Sequence, residues 1–235
     1  MQHTSKTLTK ALRDAIAATL LVAFTGYASY LMLEPIASFG QSAYDQFVVS
    51  QQITSEISFL ATAADITLSA IGGITGGVSE GQTSVRVYTN DAAGFTMTIT
   101  ASGSPAMQGI SQGGVIADYT PATANVPDFT FASTTSGQQA EFGYSVTAST
   151  TADLAQKFLD NGSTCNTGTN DTTGKTSCWY NLSTTATSTL LRTTPTSVSG
   201  ASSTLYFRVN IPSNPSPALP EDTYRATSTL TATTN

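Results

Sequence analysis

Histidine is nearly absent from this chain. Only one of its 235 residues is histidine, His3, and it precedes the part of the sequence that can fold into a domain. Imidazole is the usual general base of serine and cysteine hydrolases and the commonest metal ligand in proteins. Its absence excludes those enzyme classes, and we expect a protein without enzymatic activity, cofactor or bound metal.

Charge is also scarce. Charged residues make up 10% of the chain, and 9 basic residues stand against 15 acidic ones, for a formal net charge of −6. Without a basic patch to neutralise phosphates, nucleic acid is excluded as a partner. Serine and threonine instead supply 70 residues, far above ordinary usage, so we expect a hydroxyl-rich surface.

The N-terminal segment predicts export. Lys6, Lys10 and Arg13 precede an uncharged apolar run, Ala15–Leu33. A helix of that length spans about 28 Å, close to the thickness of the hydrocarbon core, so a cleaved signal peptide and a retained anchor both fit. The basic residues keep the N-terminus inside and place the rest outside. We therefore predict a signal peptide or membrane anchor over residues 1–40, with a candidate cleavage point before Gln41, and an extracellular, cell-surface domain over residues 41–235.

Apolar and polar residues alternate through most of the exported part, which is the pattern of half-buried strands. The clearest runs are Val85/Val87, Phe95/Met97/Ile99, Phe142/Tyr144/Val146, Leu205/Phe207/Val209/Ile211 and Tyr224/Ala226/Leu230/Ala232. The loop Thr89–Gly94 carries Asn, Asp and Gly, so its flanking strands are predicted to form a hairpin. The pattern indicates an all-β fold, an antiparallel Greek-key-like β-sandwich, beside the N-terminal hydrophobic helix.

One short helix is predicted within the domain. Thr150 precedes the segment 151–160 as an N-cap, Asp153 follows three residues later, and Asn161-Gly162 supplies a stop signal. Its apolar face is predicted to cover one end of the sandwich.

Cys165 and Cys178 are the only cysteines, and in an exported protein such a pair predicts an intrachain disulfide. A zinc site would need further ligands that the sequence lacks.

Two motifs have ordinary interpretations. Gly109-Ile110-Ser111-Gln112-Gly113 matches the GxSxG pattern of a nucleophile elbow, but no histidine follows it, so its glycines are predicted to serve a loop. Three segments fit the N-glycosylation sequon, starting at Asn161, Asn170 and Asn181.

The chain also resembles a protein family in several runs. These are Val49–Ile57, Thr89–Ile99, Ser104–Met107, Pro220–Ala232, and Phe158–Gly162 with both cysteines and Trp179. Over residues 47–235 they are similar to exported β-rich surface proteins of candidate-phyla-radiation bacteria. That resemblance implies a secreted surface protein and brings no known activity or site. More loosely, the last strand is similar to the final strand of fimbrial and spore-coat sandwich domains.

The leading hypothesis is a non-enzymatic surface structural protein, either a filament or coat subunit or an adhesive module. The alternative is a carbohydrate-binding module, or a glycoside hydrolase in which two dispersed acids converge. The expected partners are other copies of the chain, other surface proteins or glycans, and the membrane only through the N-terminal segment.

A strand-exchange arm is the expected assembly device. Apolar side chains at odd positions predict a strand that pairs either within its own domain or with a neighbouring copy. They are Phe47, Val49, Ile53, Ile57 and Phe59.

Overall fold

A computed structural model describes residues 3–33, 44–132, 138–171 and 177–235. The predictions above that concern the remaining residues, including the cleavage point before Gln41, lie outside the described residues. The chain forms two compact units, residues 1–51 and residues 52–235.

The first unit contains one helix, α1 (His3–Leu33). Its segment Thr9–Met32 is long and apolar enough to cross a membrane, and none of its most apolar stretch is buried in the protein. Three hydroxyls interrupt the apolar run, and each donates to a backbone carbonyl one turn earlier: Thr19 to Ala15, Thr25 to Leu21 and Ser29 to Thr25. Because these polar groups are satisfied within the helix, they add little to the cost of placing it in a hydrocarbon environment.

The second unit is strand-rich. Its ten strands are β1 (Ile57–Ala61), β2 (Gly77–Thr89), β3 (Phe95–Ala101), β4 (Met107–Gly109), β5 (Val115–Asp118), β6 (Glu141–Ala148), β7 (Thr187–Arg192), β8 (Ala201–Ile211), β9 (Tyr224–Ala226) and β10 (Ser228–Thr234). Seven form one sheet in the order β1-β2-β8-β6-β5-β4-β9, and three form a second sheet in the order β10-β3-β7. The prediction of a β-rich domain preceded by an apolar helix is confirmed.

Strand β8 is the longest alternating element, and it organises the larger sheet. Its residues alternate between buried and half-buried along their whole length. It pairs antiparallel with β2 on one side and β6 on the other. One contact departs from the expected antiparallel pattern, because β5 runs parallel to β6, with Ala117 opposite Glu141.

The inward side chains of both sheets form one hydrophobic core. The smaller sheet contributes Phe95, Met97 and Ile99 from β3 and Leu190 from β7. The larger sheet contributes residues from β2, β6 and β8, the most deeply buried being Val85, Val87, Phe142, Tyr144, Val146 and Leu205.

The predicted hairpin around Thr89–Gly94 is wrong, because β2 and β3 lie in different sheets. The turn itself forms, with the Gly94 amide donating to the Asp91 carbonyl and Gly94 at φ +81°. A Cβ at Gly94 would lie 2.2 Å from the Arg192 carbonyl oxygen, so glycine is required where the chain passes between sheets.

The predicted helix over 151–160 is replaced by two 3₁₀ turns, Thr151–Asp153 and Gln156–Phe158. Between them the Ala155 amide donates to the Thr189 carbonyl of β7 at 2.9 Å, and Leu154 is held in an extended conformation. Pairing with β7 overrides the local helical preference. Thr150 makes no side-chain cap, but the predicted apolar face is buried at Leu154, Ala155, Phe158 and Leu159.

Adjacent leucines in β7 provide a test of the core. Leu190 is fully buried, whereas Leu191 is 49% exposed. We expect Leu190→Ala to lower the free energy of unfolding by about 2 to 5 kcal/mol, because it removes core contacts and leaves a cavity. Urea unfolding followed by the fluorescence of Trp179, the only tryptophan, measures this change.

The control is Leu191→Ala, which we expect to stay within about 0.5 kcal/mol of the parent protein. Equal losses in the two variants would contradict the assignment of the inner and outer faces of β7.

Candidate functional site

The predicted disulfide between Cys165 and Cys178 is present. The sulfur atoms are 2.08 Å apart, and both residues are buried. The loop that it closes begins beside Asp160, which is fully buried and exchanges two backbone hydrogen bonds with Asn170, at 2.9 and 3.0 Å. The bridge thus fastens a polar loop onto the domain.

A second layer of side chains covers the face of β6 that points away from the main core. Gly143 lies beneath it, and a Cβ there would approach Tyr119, Phe131 and the Tyr180 carbonyl at 3.0 to 3.1 Å. Only glycine lets the rings settle this close to the sheet. Phe131 contacts Tyr119 and, edge-on, Trp179.

Arg208 carries a positive charge into this aromatic layer. Its guanidinium carbon lies 4.8 Å from the centre of the Phe131 ring and 5.8 Å from that of Trp179. Its Nη1 is 3.3 Å from Oε1 of Glu80. Cation–π contact and the carboxylate together offset the cost of holding the charge at a largely covered position.

The Tyr119 hydroxyl closes the same layer. It donates to Oδ2 of Asp128 at 2.6 Å and lies 3.0 Å from the Ala132 carbonyl. Burial, followed by the hydrogen bond to Asp128, raises the pKa of Tyr119 far above its ordinary value. The phenol therefore stays protonated and acts as a structural donor.

Several acids of the β-rich unit accept hydrogen bonds from backbone amides. Ala106 donates to Asp118, Ala122 to Asp128 and Ala148 to Asp171. Burial raises the pKa of Asp118 and of Asp171, and the nearby charge of Asp160 raises that of Asp171 further.

Asp153 is instead paired with Arg192, whose Nη1 is 2.6 Å from its Oδ2. In the part of the chain that the structure describes, no group of three or more His, Cys, Asp or Glu residues is arranged to hold a metal ion.

The GxSxG segment is a loop clamped by Asp222. The amides of Ser111 and Gln112 donate to Oδ2 of Asp222 at 2.9 and 2.6 Å. A Cβ at Gly109 would lie 2.6 Å from the same oxygen, so the glycine makes room for the carboxylate. This explains the motif without a nucleophile.

A polar groove of about 520 Å³ lies among the described residues. Its lining includes Asn125, Lys157, Tyr180, Asn181, Ser183 and Thr185. The Lys157 ammonium lies 3.9 Å above the Tyr180 ring, and the Tyr180 hydroxyl is 3.4 Å from the Asn125 side-chain oxygen. Three segments that are far apart in the sequence line this groove, so no local sequence pattern could predict it.

The predicted arm divides into two parts. Ile57 and Phe59 pack against the core of their own domain within β1, which pairs with β2. Residues 47–56 form no strand in the single chain, so they do not pair as a strand within their own domain, and pairing with a neighbouring copy stays a prediction. Phe47, Val49 and Ile53 are 83 to 84% exposed.

Tyr44 and Val48 extend this apolar stretch and are 83% and 91% exposed. From here on we call residues 44–56 the arm. Apolar and polar residues alternate in the arm, but no sheet of the single chain includes it. The period of two alone therefore does not show that a strand forms.

Comparison of the chain with protein families and with curated proteins finds no match. The residues themselves are therefore the basis for a functional assignment.

Loss of the disulfide provides a test of the loop. The bridge spans 13 positions, and we expect Cys165→Ser/Cys178→Ser to lose about 3 kcal/mol of stability because the unfolded chain regains loop entropy. Urea unfolding of the double variant and of the parent measures the loss. Two titratable thiols in the unfolded but unreduced parent would contradict the pairing.

Asp222 provides a pH-dependent test. Hydrogen bonds from the amides of Gln112, and then of Ser111 and Thr223, lower its pKa below the ordinary value of 3.8. A depressed carboxyl pKa gives a stabilisation that is complete above the unfolded-state value and is lost as the pH falls through the folded-state value. We expect Asp222→Asn to be less stable than the parent at neutral pH, with the difference shrinking as the pH falls through the folded-state pKa of the parent carboxyl.

Thermal unfolding from neutral to acidic pH measures this difference. The control is Asp65→Asn at an exposed loop position, which we expect to be about as stable as the parent at neutral pH. A difference between parent and Asp222→Asn that is independent of pH would contradict the role of the carboxylate.

Proposed function

We propose that the protein is a non-enzymatic structural protein of the cell surface, a filament or coat subunit that assembles through its arm. The observation that carries this proposal is the arm itself, a segment with five exposed apolar side chains immediately before a folded domain; they are Tyr44, Phe47, Val48, Val49 and Ile53. The finer fold that we propose is a Greek-key-like β-sandwich, for which two sheets sharing one core are the support.

Extracellular location is supported by the N-terminal segment and the cysteines. The helix can serve as signal or anchor, and both cysteines are joined in a disulfide, which persists in oxidising compartments. If the helix is retained, the arm comes after it in the sequence and lies on the outer side of the membrane.

The arm has enough apolar surface to drive association. Fully burying Phe47, Val48, Val49 and Ile53 at about 1.5 to 3 kcal/mol each gives a gross gain of about 6 to 12 kcal/mol before ordering costs. An extended segment can add main-chain hydrogen bonds by pairing with an exposed sheet edge. We therefore propose a second copy of the chain as the arm's partner.

A carbohydrate-binding role is the second candidate, and the polar groove favours it. Asn125 and Asn181 bring amides, and Ser183 and Thr185 bring hydroxyls, that match the donors and acceptors of a sugar. Stacking of a sugar on Tyr119, Trp179 or Tyr180 does not support this role, because these side chains are at most 7% exposed.

Replacing the arm's apolar side chains tests the assembly proposal. We expect Phe47→Ser/Val49→Ser/Ile53→Ser to raise the concentration needed for assembly at least about tenfold, because about 1.4 kcal/mol of lost burial suffices for that factor. Light scattering over a concentration series and electron microscopy of the full-length chain measure it.

The matched control is Ile74→Ser/Ile110→Ser/Val198→Ser, which removes three exposed apolar side chains outside the arm. It keeps α1, so any association through the helix is common to both variants. Equal effects of the two triple variants would contradict the arm's role. A parent protein that stays monomeric at high concentration would overturn the polymer and favour an adhesive module.

A further inference from the structure

We propose that Asn161 is an acceptor for an N-linked glycan. This inference rests on the proposed extracellular location, because the modification takes place on exported chains. It concerns a different part of the domain from the arm and does not depend on assembly. The sequence offers three sequons, and the structure separates them by accessibility and local conformation.

The sequon Asn161-Gly162-Ser163 lies at the tip of an exposed turn. All three residues are exposed, and Gly162 has φ +95°, a conformation that glycine adopts readily. Oδ1 of Asn161 accepts hydrogen bonds from the Ser163 amide at 3.1 Å, the Ser163 hydroxyl at 3.1 Å and the Thr164 amide at 3.0 Å. The sequon hydroxyl therefore already contacts the side chain that would be modified.

The three hydrogen bonds to Oδ1 make the side-chain amide of Asn161 easier to deprotonate. When Nδ2 loses a proton, negative charge spreads onto Oδ1, and donors aimed at that oxygen stabilise the charge. They also fix the orientation of the amide group on the turn. The turn thus presents the Asn161 amide nitrogen as a nucleophile. Two backbone amides and the Ser163 hydroxyl stabilise the deprotonated form of that amide.

The base of the turn is held firmly. The Gly162 amide donates to Oδ1 of the buried Asp160 at 2.7 Å, and Asp160 forms a bridge with Cys165, which is in the disulfide. A glycan at the tip would project from this base without disturbing the core.

The sequon at Asn181 is arranged differently. Leu182 is 1% exposed in the core, and the Ala101 amide donates to the Ser183 carbonyl at 2.7 Å. The Ser183 hydroxyl accepts from the Thr185 amide. With its middle residue buried, this segment cannot leave the domain to enter a transferase without unfolding, so Asn181 serves as an internal control. The hydroxyl residue of the third sequon, Thr172, lies outside the described residues.

The transfer needs a glycan donor activated as a lipid pyrophosphate, together with a transferase. Nδ2 of Asn161 forms a bond to the anomeric carbon of the sugar, and the bond from that carbon to the pyrophosphate oxygen breaks. The lipid pyrophosphate leaves with the electron pair, and the amide proton passes to a carboxylate of the transferase. No atom changes oxidation state overall.

Mass spectrometry of the chain isolated from the cells that make it tests the proposal. We expect the peptide containing Asn161 to carry a hexose- or hexosamine-based mass in most copies, and the peptide containing Asn181 to carry none. Asn161→Gln and Ser163→Ala should each abolish that mass. Ser163→Thr should preserve it, because threonine keeps the sequon hydroxyl.

Three outcomes would overturn the proposal: an unmodified Asn161, modification at Asn181 in its place, or a modified Ser163→Ala variant. Protease treatment of intact cells and thiol titration, done on the same material, report the export of the domain. An unmodified Asn161 in a protease-accessible, disulfide-bonded domain would therefore refute the glycan and leave the proposed surface function standing. A protected domain with free thiols would refute both.

Discussion

Strand β6 has no face left for water along its first six residues, because one side meets the main core and the other meets the aromatic layer. Phe142, Tyr144 and Val146 point into the core, while Gly143 lies under Phe131. Two independent sets of packing contacts therefore depend on one strand and on its register with β8. A shift by one residue would exchange the faces, bringing polar side chains into the core and apolar ones under Arg208.

The scarcity of basic residues shapes how the acids are used. Arg192 and Arg208 have carboxylate partners in Asp153 and Glu80, but several other acids accept hydrogen bonds from backbone amides instead. Asp118, Asp128 and Asp222 each accept from the amides of irregular segments that no sheet would otherwise fix. In a protein with long, hydroxyl-rich loops, these carboxylates hold the loop backbone in place. A charged acceptor makes a stronger hydrogen bond than a neutral one.

Local sequence patterns predicted the positions of individual strands but not the contacts between residues far apart in the sequence. Alternation located β3, β6 and β8 because a half-buried strand imposes a period of two on its own residues. It could not tell that β2 and β3 belong to different sheets, because sheet membership is decided by partners far away in the sequence. The short helix failed for a similar reason, since the Ala155 amide found its partner in β7. The groove was unpredictable because Asn125, Lys157 and Tyr180 meet only after folding.

The arm has the alternating pattern of a strand, but its side chains are not buried in the single chain. A period of two describes which side chains would share a face if a strand formed, but the strand forms only where a partner supplies hydrogen bonds and a surface. Ile57 and Phe59 have that partner in β2 and the core. Phe47, Val49 and Ile53 continue the same pattern in a segment whose side chains remain exposed. Burying exposed apolar side chains in a later association step would still release their full transfer free energy. The alternating pattern therefore does not describe a strand of the single chain, but in the assembly that we propose it describes a strand formed with a second copy.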